Sequence, residues 1–166
     1  MVRGVRISKA AIDLNDTPTT KVELRWEGGL QFTSSDEYGH TLTVDAPLED
    51  GDAFEGFKPG ELLLTSLAGC SGIDVVSILK KQRQDVTGLE ITVKGMQQAD
   101  PPWTWQELHL EYVVRGKGLT KSAVKRAIQL SESKYCSVAA TLEGRARISS
   151  SVRIVEEGQA GTEGDD

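Results

Sequence analysis

Residues 59–84, PGELLLTSLAGCSGIDVVSILKKQRQ, decide how this chain folds. Pro59 suits the first turn of a helix, where a missing N–H costs nothing. Glu61 puts negative charge near the N-terminal end, and Lys80, Lys81 and Arg83 put positive charge near the other, so both ends complement the helix dipole. Between them Leu62, Leu63, Leu64, Leu67, Ala68, Ile73, Val75, Val76, Ile78 and Leu79 fall on every side of the helical wheel. A helix of about 25 residues is about 37 Å long and crosses a small domain. With no single apolar stripe, it asks for burial all round, by other elements of the chain or by another subunit. Leu62 to Leu79 is nearly long enough to span a bilayer. Against that, Asp74 sits near its middle, Thr65, Ser66, Ser71 and Ser77 dilute it, and no Trp or Tyr marks its ends. The reading is a central helix of a soluble protein.

The rest of the chain suits such a helix. At 166 residues and 18.0 kDa, with 38% hydrophobic and 27% charged residues, it is long enough for one domain, expected over residues 1–156, with a real core. A net charge of −6 and a pI near 5.0 argue against nucleic acid or an anionic membrane as partner, since those surfaces are bound by basic faces. Small molecules or proteins remain. The N-terminal residues carry no apolar run of signal-peptide length, so a cytoplasmic location is expected. Thiols are kept reduced there, and two cysteines are then catalytic, redox-active or inert sooner than a permanent bridge.

In chain order, residues 1–20 give partial alternation, read as an edge strand with a loose start. Val22, Leu24 and Trp26 alternate with polar residues, Glu27-Gly28-Gly29 breaks the run, and Leu30 and Phe32 resume it. With Thr41 to Val44 added, residues 21–46 form a three-stranded antiparallel meander. Residues 47–58 make an acidic loop in which Phe54 and Phe57 anchor to the core or meet a partner. Past the long helix, Gly88 to Val93 and Trp103 to Arg115 are strands of a second hairpin broken at Asp100-Pro101-Pro102, with Trp103 and Trp105 on one face. Thr120 caps an amphipathic helix carrying Ala123, Val124, Ala127, Ile128 and Leu130. It ends near Ser131 to Tyr135, a short helix starts beside Cys136, and Arg145 to Val155 supplies a last strand. The acidic, Gly-rich tail, residues 157–166, is expected to be disordered. The order of elements is that of an α+β fold.

Cys70 lies inside the long helix and Cys136 far along the chain, so there is no close metal spacing. His40 and His109 do not complete a zinc site, and no metal or cofactor is expected. The residues alone leave two alternatives: small core hydrophobes, or reactive thiols. Gly69 and Gly72 flank the cysteine turn and suggest close approach by a neighbouring helix.

The runs PGELLLTSLAGC and IDVVSILKK, the YCSVAATL segment behind an amphipathic helix, and the flanking hairpins resemble the OsmC/Ohr family over residues 20–155, in particular its YhfA-like branch. The family takes its name from osmotically inducible protein C and organic hydroperoxide resistance protein. The resemblance implies an OsmC-like fold: an intertwined homodimer whose antiparallel sheets surround the long central helix. It implies a thiol peroxidase for organic hydroperoxides, with Cys70 peroxidatic and Cys136 resolving. Its partners would be a hydroperoxide and an external dithiol reductant such as a lipoyl protein. In that chemistry a thiolate attacks the peroxide and an alcohol leaves. The sulfenic acid then condenses with the second thiol to a disulfide, which the dithiol reduces. A buried thiol needs help to ionise. In the family's peroxidases an arginine of the early hairpin gives it, held by a glutamate just after the helix-opening proline. Here Gly60 follows Pro59 and Glu61 comes one position late, which turns its side chain by about 100°. Leu30 stands where the arginine is expected, and Arg25 on the preceding strand is the nearest substitute. The candidate site is therefore Cys70, Cys136, Glu61 and Arg25. The main alternative is a protein of the same fold that binds a small apolar or electrophilic molecule without peroxide turnover. A third is a thiol-dependent enzyme acting on another substrate.

Overall fold

The computed structural model describes residues 20–157, so the expected N-terminal edge strand and almost all of the expected disordered tail lie outside the described residues. The chain divides into two compact units, one ending at Lys58 and the other starting at Pro59.

The first unit is the expected meander: β1 (Val22–Gly28), β2 (Gln31–Asp36) and β3 (Thr41–Val44), joined antiparallel in that order. Gly28 and Gly29 turn the first hairpin with φ of 123° and 53°, backbone that glycine adopts without strain. β1 leaves Val22, Leu24 and Trp26 exposed. The acidic loop is tied back by Asp45, a buried carboxylate that accepts from the backbone N–H of Glu55 at 3.0 Å and of Ala46 at 2.8 Å. Phe57 is joined to β3 through backbone hydrogen bonds with Thr43 and Asp45.

The second unit opens with α1 (Pro59–Lys81), bounded as its charges require, with Glu61 in the first turn and Lys80 and Lys81 in the last. β4 (Asp85–Gln97) and β5 (Trp105–Lys117) form a long antiparallel hairpin. Then follow α2 (Lys121–Leu130), a π-helical turn (Ser131–Tyr135), α3 (Ser137–Leu142) and β6 (Arg147–Glu156). β6 returns to β5 in parallel, giving the sheet order β4-β5-β6, so the second sheet is mixed and not antiparallel as expected, because the chain comes back through α2 and α3 and not through a hairpin. Alternation along β5 turns Leu108, Leu110, Tyr112 and Val114 into the core, where they meet Leu67, Val75 and Leu79 of α1 and Val124, Ala127 and Ile128 of α2.

Four local expectations need correction. Within one chain α1 is not wrapped: it buries the stripe Leu67, Ser71, Val75 and Leu79, while Ile73 on its far side is 75% exposed. Gly72 meets the sheet and not a helix, because a Cβ there would lie 3.1 Å from Ile91 Cδ1, and Gly69 has open space above it. Trp103 lies in the turn before β5, with φ of 51°, so it shares no strand face with Trp105. Thr120 occupies the N-cap of α2 but makes no side-chain capping bond.

Candidate active site

The first backbone N–H groups of a helix have no partner within it. In α3 the extended residue before the helix, with φ −72° and ψ 102°, is Cys136, and its Sγ accepts the third of these, Ala139 N–H, at 3.4 Å. The N–H groups of Ser137 and Val138 remain. With the Ser137 hydroxyl and the Cys136 thiol, they are the groups that favour the ionised form of the Cys70 thiol. Cys70 comes to them because it sits on the flank of α1 that packs on α3 and the π-helical turn. Asp74, one helical turn further along α1, lies on the same flank and accepts from Ser131 Oγ at 3.0 Å.

These contacts set the two thiols apart. Burial pushes the Cys70 thiol up, but donation from the Cys136 thiol, Val138 N–H, the Ser137 hydroxyl and Ser137 N–H outweighs it, and Cys70 ends below the usual thiol value. For Cys136, burial leads, donation to Cys70 adds to it, and the thiol is pushed up to about 11. Cys136 is 2% exposed and Cys70 is half-buried; both are free thiols. Cys70 is therefore the more readily ionised of the two thiols, and Cys136 the one held protonated. Among the described residues, none of the groups that lower Cys70 is a cation. The groups that lower it are neutral hydrogen-bond donors.

A buried line of hydroxyls holds the two cysteine segments together. Tyr112 OH and Ser71 Oγ are 2.6 Å apart, and Ser71 Oγ and Ser131 Oγ 3.1 Å. Ser131 Oγ donates towards both Ser71 Oγ and Asp74 Oδ2, sharing its one hydrogen between them, and either hydroxyl of the Tyr112–Ser71 pair can be the donor. Ser71 follows Cys70 in the chain, and the Ser131 carbonyl accepts Cys136 N–H at 2.9 Å across the π turn. Burial, only partly offset by Ser71, raises the Tyr112 phenol to about 12. Nearby, burial also raises the Glu132 carboxyl against a hydrogen bond with Ser150, and Glu132 Oε1 is buried without a hydrogen-bond partner.

Of the residues singled out in the sequence, Cys70 and Cys136 are brought together. Glu61 is exposed in the first turn of α1. Arg25 lies on β1 in the first unit, exposed, with its Nε 2.9 Å from Glu27 Oε1. Both nitrogens of His109 meet hydroxyls of β6, Nδ1 that of Ser149 and Nε2 that of Ser151. Ser137, Val138, Ser131, Tyr112 and Glu132 were not singled out as site residues for their own chemistry. The one sequence signal for the first two is their place directly after an N-cap cysteine.

Comparison with known proteins gives a consistent picture. The family model described as OsmC-like protein matches residues 49–151. Protein YhfA of Escherichia coli strain K12 is 37% identical over 135 residues, covering 81% of this chain and 98% of YhfA. The crystal structure of a hypothetical protein from Aquifex aeolicus VF5 superposes with a TM-score of 0.71 at 33% identity, over 84% of this chain and 100% of that one. The organic hydroperoxide resistance protein OhrB of Bacillus subtilis shares the fold, with a TM-score of 0.58 at 18% identity over 81% of this chain and 98% of its own.

Proposed function

This chain belongs to the OsmC-like protein family, and from that premise we propose that it is a cytoplasmic, homodimeric thiol peroxidase that reduces organic hydroperoxides through Cys70 and Cys136. The observation that carries the reading is that the two free thiols share one core cluster, with Cys70 lowered by donors at the start of α3 and Cys136 pushed up to about 11 by burial. A similar fold in a protein named for organic hydroperoxide resistance supports the substrate class. The Cys70 thiolate attacks the distal peroxide oxygen, the O–O bond breaks, and the alkoxide takes a proton and leaves as the alcohol. The Cys70 sulfenic acid then condenses with Cys136, releasing water and forming the disulfide that an external dithiol reduces.

The dimer rests on uncovered apolar surface. Ile73 stands opposite the buried stripe of α1, the space over Gly69 is open, and Val22, Leu24 and Trp26 are exposed on β1. A second copy covering these would supply the all-round burial that the composition of α1 asks for.

The test is consumption of cumene hydroperoxide with dithiothreitol as reductant. The wild type turns over and Cys70→Ser does not. Activity retained by Cys70→Ser defeats the reading.

A further inference from the structure

Each backbone N–H and C=O of a strand needs a partner, and a strand at the edge of a sheet leaves half of them to whatever meets it. In the second sheet β6 has β5 on one side and, among the described residues, no strand on the other. The register says which groups are left. Glu157 N–H, at the end of β6, bonds the Gly116 carbonyl of β5 at 2.8 Å, and the pairing runs without a bulge from Arg147 to Glu156. Backbone groups alternate in direction along a strand, so odd-numbered residues face β5, and Ile148, Ser150, Val152 and Ile154 turn their N–H and C=O outward.

Beside this edge lies a groove. A cleft of about 390 Å³ between α2 and β6 is lined by Lys121, Lys125, Ile128, Ser150 and Val152. Gln129 and Glu132 line it too, and they also line a second cleft, of about 410 Å³, that reaches Ile148 and α3. An open strand edge flanked by a groove is the geometry to which an extended peptide adds as a further strand, with backbone bonds for affinity and side-chain pockets for selection.

Charge around the edge selects the occupant. The chain carries −6 overall, yet cations flank β6 on both faces. Lys121 and Lys125 stand on the face of Ser150 and Val152, and exposed Arg153 on the other. None of these three takes part in an ion pair among the described residues. Acidic residues stand towards the other end, Glu132 between the clefts and Glu143 in the second, where Ile148, Ala139 and Ala146 supply an apolar wall. We propose that the free edge of β6 binds an extended acidic peptide segment of another protein. The segment adds as a strand, its consecutive carboxylates alternate between the lysines and Arg153, and its apolar residues lie beside Ile148. This surface is independent of the cysteine chemistry.

The test is fluorescence polarisation of the full chain with the fluorescein-labelled peptide amides ITVTEDE and EDETVTI, since a strand can add in either direction. At least one should bind saturably. Lys121→Glu with Lys125→Glu, checked for folding by far-UV circular dichroism, should weaken that binding by about tenfold or more, and so should high salt. N-methylating alternate amides of the peptide should abolish binding for one alternate set and spare it for the other, which a contact through charge alone would not do. Four results each overturn the proposal: no binding of either peptide, binding indifferent to both methylated sets, binding that survives charge reversal unchanged, and binding that appears only when residues 158–166 are deleted, which hands the groove to the chain's own acidic end. A peptide that shifts the protein to a smaller sedimenting species places a second copy on β6 and overturns it as well.

Discussion

Truncating Ile73 tests whether the open face of α1 is a subunit interface. Ile73 is 75% exposed in the single chain and, at 100° per residue, stands opposite the centre of the Leu67, Ser71, Val75 and Leu79 stripe. Full burial of an isoleucine side chain contributes about 1.5–3 kcal/mol. A twofold axis counts every substitution twice, so Ile73→Ala should weaken the dimer by about 3–6 kcal/mol. That raises the dissociation constant by about 10²- to 10⁴-fold. Ile73→Asp adds two like charges at the contact and should weaken it further. The assay is sedimentation velocity over a dilution series, with far-UV circular dichroism reporting the fold. The expected result is a midpoint of dissociation at higher concentration for Ile73→Ala and higher still for Ile73→Asp. A wild type that is monomeric throughout, or variants that sediment as the wild type does at every dilution, refutes the reasoning.

Two further predictions concern the site. Neutral donors hold Cys70 below the ordinary thiol value, so its carbamidomethylation rate, followed by peptide mass, should have a pH midpoint below that of an unperturbed thiol, and Ser137→Ala should move that midpoint upward. A wild-type midpoint at or above the free-thiol value contradicts the donor account. Tyr112→Phe leaves Ser71 with Ser131 as partner and should cost about 1 kcal/mol at neutral pH in urea unfolding. The Tyr112 phenol rises from 10.0 to about 12 on folding, so its protonated form is the one the fold favours. That stability is fully present below pH 10 and lost as pH rises towards 12, about 2–3 kcal/mol in all, and the wild type should show this alkaline loss where Tyr112→Phe does not. Equal slopes in the two proteins rule out the buried phenol as its source.

How much of this was legible in the sequence varies by element. The ends of α1 could be read from Pro59, Glu61, Lys80 and Lys81, because capping and dipole terms act within a turn. The hairpins could be read from alternation and from Gly28-Gly29. The pairing of the two cysteines came from family resemblance and not from spacing. The parallel return of β6 to β5 could not be read, since alternation says which face a strand buries and not which neighbour it joins. Ser71, Ser77 and Asp74 read only as polar dilution of α1; that Ser71 and Asp74 join a buried line with Tyr112 and Ser131 depends on tertiary contact. No cation beside Cys70 could be read from the residue codes because the groups that lower it are the Cys136 thiol, the Ser137 hydroxyl and two backbone N–H groups of α3, brought to it by tertiary contact.

The central claim is that Cys70 and Cys136 work as a pair, and intact mass after one equivalent of cumene hydroperoxide tests it most directly, with iodoacetamide added at the end and Cys136→Ser run alongside. The account predicts that the wild type loses both alkylatable thiols with a mass drop of about 2 Da, and that Cys136→Ser stops at a sulfenic acid on Cys70. Two thiols still alkylated in the wild type contradict it.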